Sequence, residues 1–305
     1  MILELSDDAL EYGRQVRNAF DAAGGDELVI QAEKAPSGRE SLVGPVLAGL
    51  GAWELDPRSD ADGLEAAAAL CRAAGYWAVP YPLAERLAAP TDLDADGVIV
   101  VGGERPAAAV AGLDLRWATV DVAGHRAMVS GYGEIQPGFV TELELSSVDD
   151  AGSGDVALAL TLPCWTLLGM LDRAIELTVA HVTLRKQFGQ PLASFQGVQF
   201  QLTDAEVERS GLDILAKHAL WSATGNRPDA IADALALRLA AIEAADVVFR
   251  VCHQLHGAVG FCDETTLSWL SRHSQPLRRL PFGLSATREE LADVAGRRGL
   301  AGLFA

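Results

Sequence analysis

The sequence LRKQFGQPLASFQGVQFQ, residues 184–201, decides how the second half of this chain folds. Apolar residues at helical spacing lie on both sides of it, which predicts the end of one helix, a tight Gly-Pro connection and the start of another. Arg185 falls in the last helical turn, where a guanidinium is stabilised by the negative helix end or extends to a phosphate. Phe188 can stack on a flat ligand and Gln196 offers an amide. On composition alone, a loop packed by its own aromatic ring is the favoured interpretation.

Long amphipathic helices surround this segment. Leu167, Leu171 and Val182 share one face of a helix. Leu235 and Ile242, with other apolar residues at helical spacing, share one face of a second helix. With breakers at FGQP, TGNRP and GAVGF, the pattern predicts helices over residues 156–186, 195–222, 229–256, 263–278 and a shorter one over 285–297. Four helices of this length predict a bundle, an arrangement suited to oligomer formation.

The first half of the chain has shorter elements. Residues 7–23 predict a helix with Ser6 as N-cap, and residues 63–75 predict a second helix closed by glycine. Five apolar runs over residues 97–146, about ten residues apart, predict a small antiparallel sheet. The polar DDAGSGD segment, residues 149–155, predicts a solvated linker.

The fold class is therefore mainly α with a small β part. We expect three domains: a helical domain over residues 1–90, a reduced β domain over 91–152 and a helical bundle over 153–305.

A second segment, VCHQLHGAVGF (residues 251–261), ends a predicted helix on a glycine-rich turn. Such a turn exposes backbone N–H groups to an anion or a carbonyl. The signal is weak by itself, because many helices simply end in glycine.

Charge restricts the partners of this 305-residue chain. The chain has 24 Lys and Arg against 42 Asp and Glu, a net charge of −18, which argues against nucleic acid and against an anionic membrane as partners. Residues 1–150 account for −16 of this charge and residues 151–305 for −2. Only the second half is therefore suited to face an anionic ligand.

The cysteines and the N-terminus predict a cytoplasmic protein with reduced thiols. The four cysteines are scattered, and the first residues carry acids where a signal peptide has basic and apolar ones. The uncharged stretch over residues 156–171 is too short to span a bilayer, so we expect a buried core helix there.

Together the two segments resemble the C-terminal flavin signature of the acyl-CoA dehydrogenase family. RKQFGQPLASFQ is followed about sixty residues later by QLHGAVGF and then by LSWLSRH with its arginine. The order of a helical part, a β part and a four-helix bundle is also similar to that family. The resemblance implies an FAD-dependent α,β-dehydrogenation of an acyl-CoA.

The resemblance also implies which residues contact FAD. The family's arginine, here Arg185, contacts the flavin pyrophosphate of a neighbouring subunit. The other implied contacts are Phe188, Gln196, Gln254, Leu255, His256, Gly257 and Ala258. Ala258 stands where the family usually has a second glycine. His256 is equally a polar contact to flavin or a satisfied turn histidine.

The departures from the family concern catalysis. The reaction requires a carboxylate that removes the α proton, and the family's two positions for it fall here at Pro281 and at Ala159. No catalytic residue is therefore assigned. The β part is about half the family's length and lacks the segments that hold the flavin ring and the thioester.

This pattern resembles the short non-catalytic subunits of heterotetrameric bacterial acyl-CoA dehydrogenases that act on steroid side chains. The resemblance implies a full-length catalytic partner, a shared FAD, an acyl-CoA held mainly by the partner, and an electron-transfer flavoprotein as acceptor.

Two other hypotheses stay open. One is a self-sufficient homo-oligomeric flavoenzyme with a relocated base, for which Asp263, Glu264, Glu289 and Glu290 are the candidates. The other is a structural scaffold without flavin.

A zinc site is disfavoured. Cys252, His253, His256, Cys262 and His273 cluster in sequence, but their spacing matches no common ligand pattern. We interpret Cys252 as a core thiol and expect no metal.

Overall fold

A computed structural model of the chain describes residues 4–224 and 227–298. The predicted fold class is confirmed: most of the chain is helical, and a small five-stranded sheet comes between two groups of helices along the sequence. The helices before the sheet are α1 (Asp7–Ala22), α2 (Glu27–Lys34), α3 (Arg39–Gly49), α4 (Ala61–Tyr76) and α5 (Leu83–Leu87). The three-domain division stays a prediction.

Helix α1 begins as predicted. Ser6 is its N-cap, and the Ser6 hydroxyl accepts a hydrogen bond from the Ala9 amide at 3.3 Å. Helix α4 is longer than the predicted segment and is almost wholly buried, because it packs between α1 and the bundle. The predicted stop at Gly75 is instead a point of close contact with the bundle.

All five predicted apolar runs contain strands: β1 (Gly97–Val100), β2 (Ala107–Ala108), β3 (Trp117–Val120), β4 (His125–Tyr132) and β5 (Thr141–Ala151). The spatial order is β1-β3-β4-β5-β2. Antiparallel pairing is confirmed for β3–β4, β4–β5 and β2–β5. It is wrong for β1–β3, which are parallel because the chain crosses over through β2 before it enters β3.

The predicted linker over residues 149–155 is also wrong. Strand β5 runs to Ala151 and pairs there with His125, and the next helix begins at Ser153. Asp155, expected to be solvated, is only 2% exposed. Its carboxylate contacts Arg126 of β4 at 2.7 Å and Arg58 at 2.8 Å, so its charge is paired inside the protein. The side chains of residues 149 and 150 lie outside the described part of the structure.

The second half forms the predicted bundle, with boundaries within three residues of those expected. Its helices are α6 (Ser153–Leu184), α7 (Gln196–Thr224), α8 (Ala230–His256), α9 (Thr266–Arg279) and α10 (Leu284–Arg298). Helix α6 is central and packs against α4, α7 and α8. Gly75 of α4 and Gly169 of α6 allow this packing, because a Cβ at either position would overlap a backbone carbonyl of the other helix.

Helix α6 also settles the nature of the uncharged stretch. By length and composition α6 is the one described helix that could cross a membrane, but 83% of its most apolar window is buried inside the fold. This confirms the prediction of a buried core helix.

Candidate functional site

The first sequence segment forms a short exposed hairpin at one end of the bundle. After α6 ends, β6 (Lys186–Gln187) pairs with β7 (Gln190–Pro191). Phe188 and Gly189 form the turn with φ of 51° and 83°, the left-handed conformation of a tight hairpin. Phe188 is 92% exposed and touches Phe195 only edge-on, with ring centroids 6.3 Å apart. The ring is therefore free to contact a ligand or a partner, rather than packing its own loop.

Arg185 is exposed at the start of this hairpin. Its amide donates a hydrogen bond to the His181 carbonyl at 2.8 Å, which fixes the backbone where the side chain leaves the helix. Among the described residues no carboxylate forms an ion pair with Arg185. Residues 177–203 contain no Asp or Glu at all, although the chain carries 42 acidic residues. The guanidinium is thus free to bind an external anion.

The second segment ends α8 at the turn the sequence predicts. Gly257 has φ 65° and ψ −147°, a conformation essentially restricted to glycine, and an added Cβ would meet open space. Its N–H is already bonded to the His253 carbonyl, so this amide is not available to a ligand. Gln254 and Ala258 are exposed, whereas the Leu255 side chain is buried. A contact from Leu255 would have to come from its backbone.

The structure brings the two segments together through histidines. His181 of α6 stacks on His256 of α8, with ring centroids 4.4 Å apart and an interplanar angle of 21°. Because His181 precedes Arg185 by one helical turn, Arg185 and the Gly257 turn lie at the same end of the bundle. Gln196 is exposed at the start of α7, directly after Phe195.

The histidines are held in defined environments. His256 Nδ1 lies 2.9 Å from the Cys252 carbonyl, which fits a donated hydrogen bond and leaves Nε2 for another partner. Burial lowers the pKa of His181, and Arg185 lowers it further. Burial also lowers the pKa of His256, which His181 and His253 lower in addition. His256 is therefore a satisfied turn histidine that still presents one free nitrogen.

The two positions implied for a catalytic carboxylate meet at one cavity. Ala159 of α6 and Pro281, just after α9, both line a cavity of about 60 Å³ between the sheet and the bundle. The family resemblance requires these two positions to lie close together, because each is an alternative place for the same catalytic carboxylate. Neither residue is ionisable, and typical ligand pockets measure about 300–1,000 Å³. Neither of the two implied positions therefore supplies a base, and the cavity has no room for an acyl chain.

Two charged groups that the sequence analysis missed line this cavity. Glu85 of α5 is partly buried, and desolvation raises the pKa of its carboxyl although Arg39 partly opposes the shift. Arg238 of α8 is 3% exposed and donates to the carbonyls of Leu277, Leu280 and Phe282. Only the fold shows this site, because Glu85 lies on a five-residue helix far from either motif.

The carboxylates considered as a relocated base do not reach this cavity. Asp263 pairs with Arg272 at 2.9 Å, and Glu264 and Glu289 are exposed. Glu290 is not among the residues that line the cavity. Cys252 is fully buried and burial raises the pKa of its thiol to about 11, in agreement with a core thiol. Within the described ranges, no three His, Cys, Asp or Glu side chains are grouped to hold a metal ion.

Comparison with known proteins agrees with the bundle and its two segments. Residues 161–285 match the family described as acyl-CoA dehydrogenase, C-terminal domain. Over these residues the chain is similar to acyl-CoA dehydrogenases. The match includes the hairpin, the Gly257 turn and helix α9.

Curated relatives match over part of their length. Acyl-CoA dehydrogenase FadE28 of Mycobacterium tuberculosis is 35% identical over 92 residues, which cover 30% of this chain and 27% of the relative. The 3-sulfinopropanoyl-CoA desulfinase of Paraburkholderia xenovorans is 28% identical over 151 residues, covering 50% and 36% of the two proteins. The chain thus spans about a third of the length of these relatives.

Solved structures extend the likeness to the whole fold. A steroid acyl-CoA dehydrogenase variant, Tcur3481-Tcur3483, has a TM-score of 0.80 at 19% identity, covering 96% of this chain and 99% of that chain. The ChsE4-ChsE5 complex from Mycobacterium tuberculosis has a TM-score of 0.76 at 18% identity, covering 99% and 100%. At these identities the comparison establishes the acyl-CoA dehydrogenase fold.

Proposed function

We propose that this chain is a subunit of a heteromeric FAD-dependent acyl-CoA dehydrogenase. It binds the phosphate end of an FAD whose reacting ring lies in a full-length partner, and the partner supplies the catalytic Glu and most of the acyl-CoA site. The observation that carries the proposal is the 60 Å³ cavity where Ala159 and Pro281 meet. A self-sufficient dehydrogenase needs a carboxylate and an acyl chain at that place.

The residues at the bundle end fit an FAD diphosphate. No carboxylate of the described residues pairs with Arg185, which lies in an acid-free segment, and the open Gly257 turn leaves space for close approach. Phe188 and Gln196 are exposed on the same hairpin-to-helix segment, and Gln254 and Ala258 are exposed at the turn. Bound FAD would supply the hydride acceptor for the dehydrogenation. This chain's own residues bind and orient the cofactor's phosphates.

An exposed apolar face on α7 supports a protein partner. Phe200, Val207 and Ile214 recur every seven residues and are 60%, 62% and 68% exposed. Gly211 lies in the same stripe, and a Cβ there would meet nothing, so another helix can approach closely. A heptad stripe of this kind is the pattern by which one helix packs on another.

Net charge helps to decide which partner covers that face. A second copy of this chain would bring a second net charge of −18 to the assembly, most of it in residues 1–150. Electrostatic repulsion between two such chains favours a less acidic partner. We therefore infer a heteromeric assembly, of which a two-plus-two heterotetramer is the form we expect.

The names of similar solved structures support the substrate class. ChsE4-ChsE5 is a complex of two named components, and Tcur3481-Tcur3483 is described as a steroid enzyme. By analogy we propose a steroid side-chain CoA thioester as the substrate, and a role in cytoplasmic lipid and steroid degradation. An electron-transfer flavoprotein is the acceptor we expect.

Co-expression tests the proposal. The chain is produced alone and together with a full-length acyl-CoA dehydrogenase from the same organism, and flavin absorbance and dehydrogenation of steroid side-chain CoA thioesters are measured. We expect flavin and activity only in the co-purified complex. A flavin-loaded chain that is active by itself would overturn the proposal.

One observation favours a second candidate, a self-sufficient enzyme with a relocated base. Glu85 is a carboxylate in the cavity of Ala159 and Pro281, and its raised pKa is suited to proton transfer. In that case Glu85 would take the substrate's α proton. Glu85→Gln would then abolish the activity of the isolated chain while its flavin content stays unchanged, whereas the preferred proposal gives no such activity to lose.

A further inference from the structure

Strand β5 has one open edge. Its inner edge pairs with β4, but its outer edge pairs with β2 only at Thr141 and Glu142. The Leu143 amide is also bonded on the outer side, to the Pro106 carbonyl at 2.8 Å. Beyond Leu143, no strand in the described part of the chain pairs with this edge. The sheet therefore ends there on unpaired backbone.

The hydrogen bonds of β5 show which of its backbone groups point outwards. The Glu142 carbonyl accepts a bond from the Gly133 amide on the β4 side at 2.9 Å, whereas the Leu143 amide donates to the opposite side. Backbone groups alternate between the two edges of a strand, so those of Leu145 and Ser147 point outwards. Within the described ranges, neither residue's amide or carbonyl is bonded on that side.

Side chains leave the open edge accessible. Residues 144–147 are all exposed, on both faces of the strand, and Leu145 is 37% exposed. Proteins commonly protect a sheet edge with lysine, proline or a covering loop, which prevents pairing with another chain. Residues 143–148 contain neither lysine nor proline. An extended segment of another polypeptide can therefore add a strand at this edge.

We propose that the outer edge of β5 accepts an extended segment of the partner subunit, which adds a sixth strand to the five-stranded sheet. The inference rests on the proposed function, because the occupant is the full-length partner of the heteromeric enzyme. It adds a second contact with that partner, formed by main-chain hydrogen bonds and separate from the apolar face of α7. Leu145 and Ser147 each offer one donor and one acceptor to the added strand.

The side chains beside the edge indicate the composition of the added strand. Glu142 and Glu144 share one face of β5, are exposed, and form no ion pair with any cation in the described ranges. Leu145 lies on the other face. Opposite charges on neighbouring strands stabilise their pairing, and like charges oppose it. We therefore expect the added segment to carry Lys or Arg on the first face and an apolar residue beside Leu145.

A second copy of this chain is a poorer occupant of the edge. Antiparallel pairing of two β5 strands would bring Glu142 and Glu144 of both copies to the same face of one sheet. Residues 1–150 carry a net charge of −16, so two copies of this half also repel each other. The glutamates thus oppose pairing between like chains and favour a basic segment of an unlike chain.

Hydrogen–deuterium exchange tests the added strand directly. Exchange of the amides of residues 143–148 is followed in the isolated full-length chain and in the co-purified complex with the full-length partner. We expect the Leu145 and Ser147 amides to exchange freely in the isolated chain and slowly in the complex, because only the added strand bonds them.

Two substitutions at Ser147 separate main-chain pairing from side-chain contact. Ser147→Pro removes an outward N–H that no bond within the described chain uses, whereas Ser147→Ala keeps it. We expect association with the partner to weaken roughly tenfold in the proline variant alone, because one hydrogen bond is lost and its acceptor stays unpaired. Sedimentation at several concentrations measures the association. The isolated variants should unfold at similar temperatures, which shows that the proline leaves the fold intact.

The acidic face is tested by salt. Glu144→Gln should weaken the association and reduce its dependence on salt concentration, because an ion pair with the basic segment is lost. Glu289→Gln changes an exposed glutamate on α10 and is the matched control. That variant should associate as the unaltered chain does at every salt concentration.

Four results would overturn the inference. They are unprotected Leu145 and Ser147 amides in a flavin-loaded complex, equal association of the two Ser147 variants, a salt dependence that Glu144→Gln leaves unchanged, and protection that appears in the isolated chain at high concentration. The last result would show that a second copy occupies the edge. The proposed function stands in each case if the complex is flavin-loaded and active. Failure to form any complex would reject the proposed function and the inference together.

Discussion

The two ends of the candidate flavin site differ in openness. At the end of the bundle, Arg185, Phe188 and Gly257 are exposed, residues 177–203 contain no Asp or Glu, and a Cβ added at Gly257 would meet open space. At the cavity of Ala159 and Pro281, the space is about 60 Å³. Under the proposed function, the difference means that the phosphate-binding surface stays open while the place of the catalytic carboxylate is closed. Substitutions should therefore affect binding at the open end and stability at the closed end.

We expect the largest change in stability from Ala159→Glu, which places a carboxylate in the small cavity lined by Ala159 and Pro281. An additional buried carboxyl near Glu85 has no cation free to pair with it, since Arg238 is engaged by three carbonyls. We expect a loss of about 3 kcal/mol in the free energy of unfolding, measured with denaturant. Ala159→Gln, of equal size, should cost less. Dehydrogenase activity in the isolated Ala159→Glu chain would show that the cavity is an intact active site.

Arg185→Ala tests the open end. The cofactor complex should lose about 1.5–3 kcal/mol of FAD binding, the range for a charge-assisted hydrogen bond, while the unfolding free energy of the chain stays nearly unchanged. Flavin retention by the co-purified complex measures the first quantity and thermal unfolding the second. Arg288→Ala, an exposed arginine on α10, is the control. Equal flavin content in the two variants would favour a structural scaffold without a role in FAD binding.

Ile214→Ser tests the apolar face of α7. Loss of a buried aliphatic side chain at a helix interface should weaken the association with the partner by about 1–2 kcal/mol. Ile135→Ser changes the same residue type at 56% exposure, outside that face, and should have no effect. Co-purification yield or sedimentation at several concentrations measures the difference. Identical association of the two variants would remove α7 from the interface.

We expect the smallest change from Glu85→Gln, which should alter only how stability depends on pH. Because burial raises the pKa of Glu85 in the folded chain, its contribution to stability is present at low pH and is lost as pH rises through the folded-state pKa. The substitution should flatten that part of the stability profile and leave the acidic end unchanged. Urea unfolding at several pH values measures the slopes. Parallel profiles of the two proteins would mean that the Glu85 carboxyl is not perturbed.

Local sequence signals predicted most of the fold. Ser6 caps α1, and the five β-type runs and the long bundle helices lie where periodicity and breakers indicated. The predictions that were wrong concern contacts between residues that are distant in sequence. The polar composition of residues 149–155 indicated a linker, but Arg126 and Arg58 from other elements pair the charge of Asp155 and allow it to be buried. The parallel pairing of β1 and β3 likewise depends on the crossover and not on either strand's residues.

The candidate site likewise contains some residues that local sequence patterns predicted and others that only tertiary packing brings to it. Arg185, Phe188 and the Gly257 turn belong to contiguous segments with a recognisable pattern. The stack of His181 on His256 joins two helices distant in sequence, and the signal available beforehand was the spacing of four residues between His181 and Arg185. Glu85 gave no signal, because its place beside Ala159 and Pro281 results from tertiary packing.

The stoichiometry of FAD tests the central claim most directly. The co-purified complex is denatured, released FAD is quantified by absorbance, and each chain is quantified separately. The account predicts one FAD for each pair of unlike chains and no FAD with this chain alone. One FAD per copy of this chain, in a preparation that contains no partner, would contradict it.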